Sequence, residues 1–323
     1  MKTLPAAISC DVDTLSSIYK GFGCRRRGGY DFSEFAMGLE NFSRFLEPYG
    51  IRATLFMVGN DFLPEKNRPA IRQMTREGHE IANHSHSHVQ GFRFLSLEEK
   101  EVEIAGMENI CQEVTGERPV GFRCPGWNIS DDTLPLLQKR GYRYDSSIFP
   151  TSLAPLLKLL HWYSMRNRPG KDRTTLGHWK YMFAPSVPYQ TEKGSLNRKG
   201  RSGFFEFPVT VTPGLRFPFS ATFLLAIGRG FFNFCYRTLI ACRRPIQFQF
   251  HLSDFVDYSH PDLIDQVPRS KESVYVPKSL HVPLTQKLPV FKSALDIIAR
   301  DYTFSTLAQW ARSVLPSFSL SLE

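Results

Sequence analysis

The segment Leu4-Pro5-Ala6-Ala7-Ile8-Ser9-Cys10-Asp11-Val12-Asp13 is a short apolar run that ends in two acids. A run of this kind is typical of a buried strand. Further apolar runs alternate along the chain with segments that carry apolar residues at helical spacing. The predicted strands span residues 4–10, 51–58, 79–83, 120–123, 142–146, 204–211 and 246–250, the predicted helices span 31–46, 68–76, 96–114, 130–141 and 221–241, and a last strand and helix share 302–311. Strands that alternate with helices pair in parallel, so the sequence predicts an α/β fold, either a doubly wound sheet or a barrel.

Residues 151–203 interrupt this alternation. The stretch is rich in Pro, Gly, Arg and aromatic residues, which is typical of loops. We therefore predict an irregular insertion at 151–203 within one domain that spans residues 1–323. Barrels of alternating strands and helices routinely use a chain of this length as a single domain.

The composition is that of a globular protein with an excess of basic residues. The chain has 323 residues, is 42% hydrophobic and carries a net charge of +9, with basic clusters at Arg25-Arg26-Arg27 and Arg243-Arg244. These clusters lie on no recognisable nucleic-acid recognition element, so nucleic acid is not a predicted partner. The six cysteines form no CxxC pair, which argues against a disulfide framework. Without a secretory signal or an apolar membrane span in the sequence, we expect a cytoplasmic protein.

Ionisable residues fall at the ends of the predicted strands. The active sites of parallel α/β barrels lie at the carboxyl ends of their strands, so side chains placed there on separate strands are expected to share one site. The residues in question are Asp11, Asp13, His84, His88, Arg123, Asp145 and His251.

The histidines in Asn83-His84-Ser85-His86-Ser87-His88 suggest a metal site. His84 and His88 stand four residues apart, a spacing that places both side chains on one side of a helix or a strand. Two imidazoles and one carboxylate, here Asp13, form a typical catalytic zinc set, and the same set also accepts Co²⁺, Mn²⁺ or Fe²⁺. Asp11 then remains free to act as a base, and His86 is expected not to ligate. The alternative is a solvated histidine-rich loop.

Three further residues are candidates for the chemistry itself. His251 follows an apolar strand, and as a residue that titrates near neutral pH it suits a general acid. Asp145 is expected to orient and charge-stabilise this imidazole, and Arg123 to hold Asp11 through a bidentate pair. The alternatives are a core histidine and surface salt bridges.

Taken in order, these motifs resemble those of the polysaccharide deacetylases with a NodB-type homology domain. The resemblance covers roughly residues 4–150 and 204–312. Cys10-Asp11-Val12-Asp13 resembles the family's paired acids, in which the first is the base and the second a metal ligand. Gly78 to His88 is similar to its histidine motif, and Arg123-Cys124-Pro125-Gly126-Trp127 to its Arg-x-Pro motif.

The two later motifs of the family are also present in similar form. Tyr144-Asp145-Ser146 and Phe250-His251-Leu252 resemble them and complete the ordered set. The resemblance implies a distorted (β/α) barrel of parallel strands and a metal-dependent hydrolase that removes an N-acyl group from an amino sugar. It also implies that a backbone N–H near Gly126 or Trp127 donates a hydrogen bond to the oxyanion.

Two departures from the family pattern concern the substrate. The acids are Asp-Val-Asp and not an adjacent pair, a form similar to that of deformylases acting on lipid-linked aminoarabinose, and Gly126-Trp127 replaces a frequent aromatic after Pro125. The acyl group is therefore acetyl or formyl, and the carrier is a polysaccharide or a lipid-linked glycan precursor such as a polyprenyl-phosphate-linked sugar. One alternative is an amidohydrolase that opens a cyclic amide or ureide. Another is a non-catalytic carbohydrate-binding module.

A phenylalanine-rich stretch bears on the carrier. Residues 217–242 contain six phenylalanines together with Arg229 and Arg237. The stretch is either a buried barrel helix or an apolar flank that lies at the inner membrane surface, with Arg243-Arg244 against anionic headgroups. In the second case the protein associates peripherally with the membrane and the basic insertion binds the phosphate of the carrier.

Overall fold

The computed structural model describes residues 3–22, 33–166, 174–267 and 278–314. The basic cluster Arg25-Arg26-Arg27 and residues 167–173 of the predicted insertion lie outside the described residues. The strands are β1 (Leu4–Val12), β2 (Thr54–Met57), β3 (Glu80–Asn83), β4 (Gly121–Phe122), β5 (Tyr144–Asp145), β6 (Tyr189–Glu192), β7 (Ser195–Lys199), β8 (Phe205–Glu206), β9 (Ile246–His251) and β10 (Tyr302–Phe304). The helices are α1 (Leu15–Phe22), α2 (Ser33–Leu46), α3 (Arg68–Arg76), α4 (Leu97–Thr115), α5 (Thr133–Lys139), α6 (Ala154–Ser164), α7 (Ala221–Ile227), α8 (Arg229–Ala241), α9 (Pro261–Ile264), α10 (Leu284–Asp301) and α11 (Leu307–Val314).

The central sheet is parallel over most of its width. Its order is β10-β1-β2-β3-β4-β5-β8-β6-β7, and β9 also pairs with β1. β1 aligns Asp11 with His251 of β9 and with Phe56 of β2. This register brings the carboxyl ends of neighbouring parallel strands to one edge, as the strand-helix alternation predicted.

The sheet is strongly curled. Arg123, which follows β4, contacts Asp11 of β1, although β2 and β3 lie between these strands. Neighbouring strands are about 4.8 Å apart, so in a flat sheet the two strands would be separated by roughly 14 Å. The contact therefore requires the curvature of a distorted barrel. The described residues form no ladder between β8 and β9 that would close it.

Two helices begin and end as local sequence signals predicted. The bounds of α3 are those predicted from the sequence. At the start of α4, the Ser96 side chain accepts the Glu99 N–H and the Glu99 carboxylate accepts the Ser96 N–H, a capping box that satisfies two otherwise unpaired donors. Gly116 ends the helix in a left-handed conformation with φ 81°, which a residue without a Cβ adopts at low cost.

Two sequence predictions need correction. Residues 151–203 are not irregular throughout, because α6 and the β6–β7 hairpin lie within them, and β6 pairs antiparallel with β8. The helix predicted at 221–241 is two helices, broken at Gly228 with φ 104°. The pairing of β6 with β8 is a tertiary contact that local composition does not reveal, whereas the break at Gly228 is local, since a residue without a Cβ adopts this φ at low cost.

The main core lies between the central strands and helices α2, α8 and α10. Phe219, Phe232 and Phe248 pack face to face and edge to face within it. The phenylalanine-rich stretch is thus largely part of the core, as the first of its two interpretations predicted, although Phe234 is 48% exposed. Among the described residues, no helix has both the length and the apolar character needed to cross a membrane.

Candidate active site

Asp13, His84 and His88 converge at the carboxyl edge of the sheet. Their ligand atoms all lie within 4.8 Å of one another. His84 Nε2 is 3.5 Å and His88 Nε2 3.3 Å from Asp13 Oδ1. His86 is absent from this group, as expected, and its ring lies against Gly59 and Gly106.

The histidine turn presents the ring nitrogens that a metal needs. His84 Nδ1 lies 2.6 Å from the Arg123 carbonyl oxygen, which fixes the tautomer with Nδ1 protonated and leaves the Nε2 lone pair free. Ser85 and His88 both have positive φ, 63° and 53°. The Ser85 Oγ accepts the His88 N–H at 3.0 Å, which stabilises this turn.

The three side chains fit a divalent metal ion. Asp13 Oδ1 and His88 Nε2 are buried and have no hydrogen-bond partner among the described residues, an arrangement that is costly unless a ligand satisfies it. Burial opposes ionisation of Asp13, but the neighbouring imidazoles of His88 and His84 outweigh it and hold its pKa well below the ordinary value of 3.8. Two imidazoles and an ionised carboxylate are a typical catalytic zinc set with an open position.

Asp11 lies beside this group and is held on both oxygens. Its Oδ1 accepts from Arg123 Nη1 and its Oδ2 from Gln249 Nε2 at 2.7 Å. The predicted bidentate Arg123–Asp11 pair is therefore a single contact, because the other guanidinium nitrogens donate to Ser146. His251 Nε2 lies 4.0 Å from Asp11 Oδ2.

Arg123 ties several strands together beneath the site. Its side chain is fully buried and stacks over the Phe56 ring at 3.9 Å. Its Nη1 also donates to Ser9 Oγ on β1. A buried guanidinium satisfied in this way fixes Asp11 relative to β4 and β5.

His251 has different neighbours from those predicted. Its Nδ1 lies 3.3 Å from Thr222 Oγ1 on α7, and its N–H donates to Asp254 Oδ2 at 2.9 Å. Asp145 hydrogen-bonds Ser147 on the adjacent loop. Within the described part of the chain Asp145 is thus held by Ser147 and β8, and the residues that contact the His251 imidazole are Thr222 and Trp127.

Asp145 and Glu206 form a buried carboxyl pair on neighbouring strands. They are register partners on β5 and β8, and both are fully buried. Burial raises the pKa of Asp145 from 3.8 to about 6. Burial and the charge of Asp145 raise the pKa of Glu206 well above its ordinary value. The pair therefore tends to share a proton near neutral pH.

The turn after Arg123 supplies a backbone donor. Gly126 and Trp127 have positive φ, 57° and 52°. The Trp127 N–H donates to the Cys124 carbonyl at 3.0 Å, which leaves the Gly126 N–H as the better oxyanion donor of the two. The Gly126 carbonyl is fixed by the Leu176 N–H and the Thr175 hydroxyl.

The cavity above these residues has two unlike parts. It encloses about 390 Å³. We call its polar end the catalytic floor, made of Asp11, Asp13, His84, His88 and His251. We call part of its apolar lining the apolar wall, made of Leu157 and Leu160 of α6 with Phe223 and Ile227 of α7.

Sequence reasoning missed Gln249, Thr222 and Glu206. Gln249 was detectable in part, since Gln247 and Gln249 alternate with apolar residues in β9 and so share one face of the strand. Thr222 and Glu206 gave no local signal, because their roles depend on which elements meet in space.

Comparison with known proteins finds a family match over about a third of the chain. Residues 36–144 match the family model of polysaccharide deacetylase. The chain is 28% identical over 119 residues to the peptidoglycan deacetylase of Helicobacter pylori, covering 37% of this chain and 40% of that protein. It is 33% identical over 98 residues to the peptidoglycan-N-acetylglucosamine deacetylase of Bacillus cereus, covering 30% of this chain and 44% of that protein. The chain thus spans less than half the length of these curated relatives.

Solved structures extend the likeness of the fold over nearly the whole chain. A protein of Mycobacterium smegmatis described as a polysaccharide deacetylase matches with a TM-score of 0.60 at 18% identity, covering 97% of this chain and 90% of that chain. The Puue allantoinase matches with a TM-score of 0.57 at 13% identity, covering 98% of this chain and 92% of that chain. At such identities the likeness concerns the fold, which confirms the predicted α/β architecture. Residues 36–144 are thus similar in sequence to polysaccharide deacetylases, and nearly the whole chain is similar to them in fold.

Proposed function

We propose that this chain, as a single catalytic domain, is a metal-dependent hydrolase that removes an N-acyl group from an amino sugar. The observation that carries the proposal is the convergence of Asp13, His84 and His88, whose ligand atoms lie within 4.8 Å of one another, with Asp13 Oδ1 and His88 Nε2 buried and without a hydrogen-bond partner among the described residues. Asp11 lies beside this group, and His251 faces Asp11. An ion site, a base and an acid at one end of a cavity are the groups that amide hydrolysis requires.

Asp13, His84 and His88 would hold the ion. Zinc is the first choice for this set, and Co²⁺, Mn²⁺ and Fe²⁺ suit it as well. When bound, the ion supplies Lewis acidity toward the amide carbonyl and lowers the pKa of water.

Asp11 acts as the general base. Water adds to the carbonyl carbon as its proton passes to the Asp11 carboxylate. Arg123 and Gln249 occupy one lone pair on each oxygen, which fixes the carboxylate and leaves Oδ2 facing the cavity for this proton. The Gly126 N–H donates to the oxyanion that forms on the substrate.

His251 acts as the general acid. Its imidazolium gives a proton from Nε2 to the amide nitrogen as the C–N bond breaks. Thr222 next to Nδ1 holds the ring toward the substrate. The products are acetate or formate and the free amine of the sugar. After the reaction Asp11 carries the proton of water and His251 has given up its own.

The apolar wall favours a lipid-linked amino sugar over a bare polysaccharide. Contact with leucine and phenylalanine contributes little binding free energy for sugar hydroxyls. For a polyprenyl or similar chain, it contributes about 25 cal/mol for each Å² of apolar surface removed from water. A phosphate in the carrier would suit the basic residues that the sequence carries between Arg166 and Arg201. A carrier embedded in a bilayer would also bring the protein to a membrane surface as a peripheral protein.

Two other functions make different predictions. Opening of a cyclic amide or ureide uses the same floor but needs no apolar wall, and turnover of such a compound without release of acetate or formate from N-acyl sugars would favour it. A non-catalytic carbohydrate-binding module predicts a missing ligand or acid, whereas this chain has Asp11, Asp13, His84, His88 and His251 all around one cavity.

The metal content of the purified chain tests the proposal first. We expect about one transition-metal ion per chain by mass spectrometry, lost in His84→Ala because one of three ligands is removed. His86→Ala is the matched control from the same motif and should keep the ion. A wild-type chain that takes up no added zinc would contradict the proposal, and a loaded chain is then assayed for acetate or formate released from N-acylated hexosamines.

A further inference from the structure

Helix α6 carries two adjoining apolar faces. Leu157, Leu160, His161 and Ser164 line the cavity. Leu156, Leu159, Leu160 and Tyr163 are exposed, at 52%, 60%, 42% and 50%. Residues three and four apart share one side of a helix. α6 therefore forms one side of the cavity and also presents a row of large apolar side chains to solvent.

A second group of exposed apolar side chains lies on the segment after α6. Trp179 and Phe183 are 63% and 65% exposed and pack edge to face. Lys158 Nζ donates to the Gly177 carbonyl at 2.7 Å, which ties α6 to this segment. We call the combined surface the docking face; it consists of Leu156, Leu159, Leu160, Trp162, Tyr163, Trp179 and Phe183. Exposed groups of large apolar side chains such as these are typical of interaction sites.

The sequence that carries the docking face is basic, which favours an anionic partner. Residues 154–183 contain six Lys or Arg and a single acidic residue; of these, Lys158, Arg166 and Lys180 belong to the described residues, and the acidic residue does not. Basic residues beside a bilayer are attracted to anionic headgroups, and Trp and Tyr are enriched at the membrane–water interface. A second copy of this chain is a poorer partner, because a two-fold contact would place the same basic surface on both sides.

We propose that the docking face seats this chain on an anionic lipid bilayer, with α6 in the headgroup region and the cavity mouth toward the lipid. Leu160 belongs both to the docking face and to the apolar wall, so the two surfaces are continuous. An amphiphilic substrate then passes from the bilayer along the wall to the catalytic floor. The link to a lipid-carried substrate rests on the proposed function, whereas the contact with the bilayer does not.

Vesicle flotation of the full chain tests the bilayer contact without substrate. The probes are vesicles of phosphatidylcholine with phosphatidylglycerol and vesicles of phosphatidylcholine alone. We expect binding to the anionic vesicles that weakens as salt rises, because screening reduces the attraction of the basic residues. Leu159→Glu should bind at least roughly tenfold more weakly, since it replaces an apolar contact with the bilayer by a charge.

Phe234→Glu is the matched control. Phe234 is 48% exposed on α8, in the other stretch that the sequence singled out for a membrane. Binding unchanged in Phe234→Glu but lost in Leu159→Glu, with equal thermal unfolding midpoints, supports the docking face. Three results overturn it: no binding by the wild type, loss only in Phe234→Glu, or a dimer in light scattering that Leu159→Glu dissociates. A chain that binds vesicles but deacylates nothing contradicts the proposed function alone.

Discussion

The catalytic floor and the apolar wall are built by different means. On the floor, Asp11 is held on both oxygens and His84 by the Arg123 carbonyl, so each polar group has a fixed direction. The wall consists of leucine and phenylalanine side chains from α6 and α7 that pack without direction. Hydrogen bonds are directional and fix geometry, whereas the free energy of apolar contacts depends on the area buried and not on direction. We therefore expect the floor to determine the reaction and the wall to determine which substrate reaches it.

Asp11→Asn should break the floor with the largest effect. An amide cannot take the proton of water, so the turnover number should fall by about 10²–10⁴-fold on any substrate. Acetate or formate release measures the rate, and metal content and the thermal unfolding midpoint serve as controls. Full activity in a metal-loaded Asp11→Asn chain would remove Asp11 from the mechanism.

Phe223→Ala should separate the wall from the floor with an intermediate effect. Removing a large apolar side chain from the wall should lower kcat/KM for a lipid-linked N-acyl sugar by roughly tenfold. The same variant should leave kcat/KM for a short soluble N-acyl hexosamine nearly unchanged. Equal losses on both substrates would mean that the wall also positions the floor and that the division fails.

Glu206→Gln should have the smallest effect, on stability against pH. Between its ordinary pKa of 3.8 and about 6, Asp145 binds more protons in the folded chain than in the unfolded one. The free energy of unfolding therefore falls as pH rises through this window. Glu206, whose pKa burial and the charge of Asp145 raise, adds to this decline in the same sense. Gln does not titrate, so the variant should show a decline shallower by on the order of 1 kcal/mol in urea unfolding. An unchanged slope would show that the pair does not share a proton.

Much of the floor could be predicted from the sequence because its motifs are local. Asp13, His84 and His88 each follow a strand, and residues at the carboxyl ends of parallel strands must meet at one edge. The same reasoning brought Asp11 and His251 to the site. It did not predict that Arg123 donates hydrogen bonds to Ser9, Asp11 and Ser146, since these contacts depend on how tightly the sheet curls.

The wall could not be predicted because its parts have no common local signal. Composition suggested a loop where α6 forms, because Pro, Gly and Arg are frequent in the surrounding sequence. Phe217, Phe219 and Phe232 suggested a membrane flank but lie largely in the core. The apolar wall comes from Leu157 and Leu160 of α6 together with Phe223 and Ile227, which belong to the same phenylalanine-rich stretch.

By itself the sequence determined the alternation of strands and helices, the parallel sheet and the residues that could hold a metal ion. Periodicity and strand-end position are properties of a short stretch of chain, and they survive without knowledge of the rest. The tertiary structure alone decided that Gln249 holds Asp11, that Thr222 contacts His251 and that Asp145 pairs with Glu206. These contacts join residues far apart in the chain, and the curvature of the sheet and the packing of α6 and α7 bring them within hydrogen-bond distance.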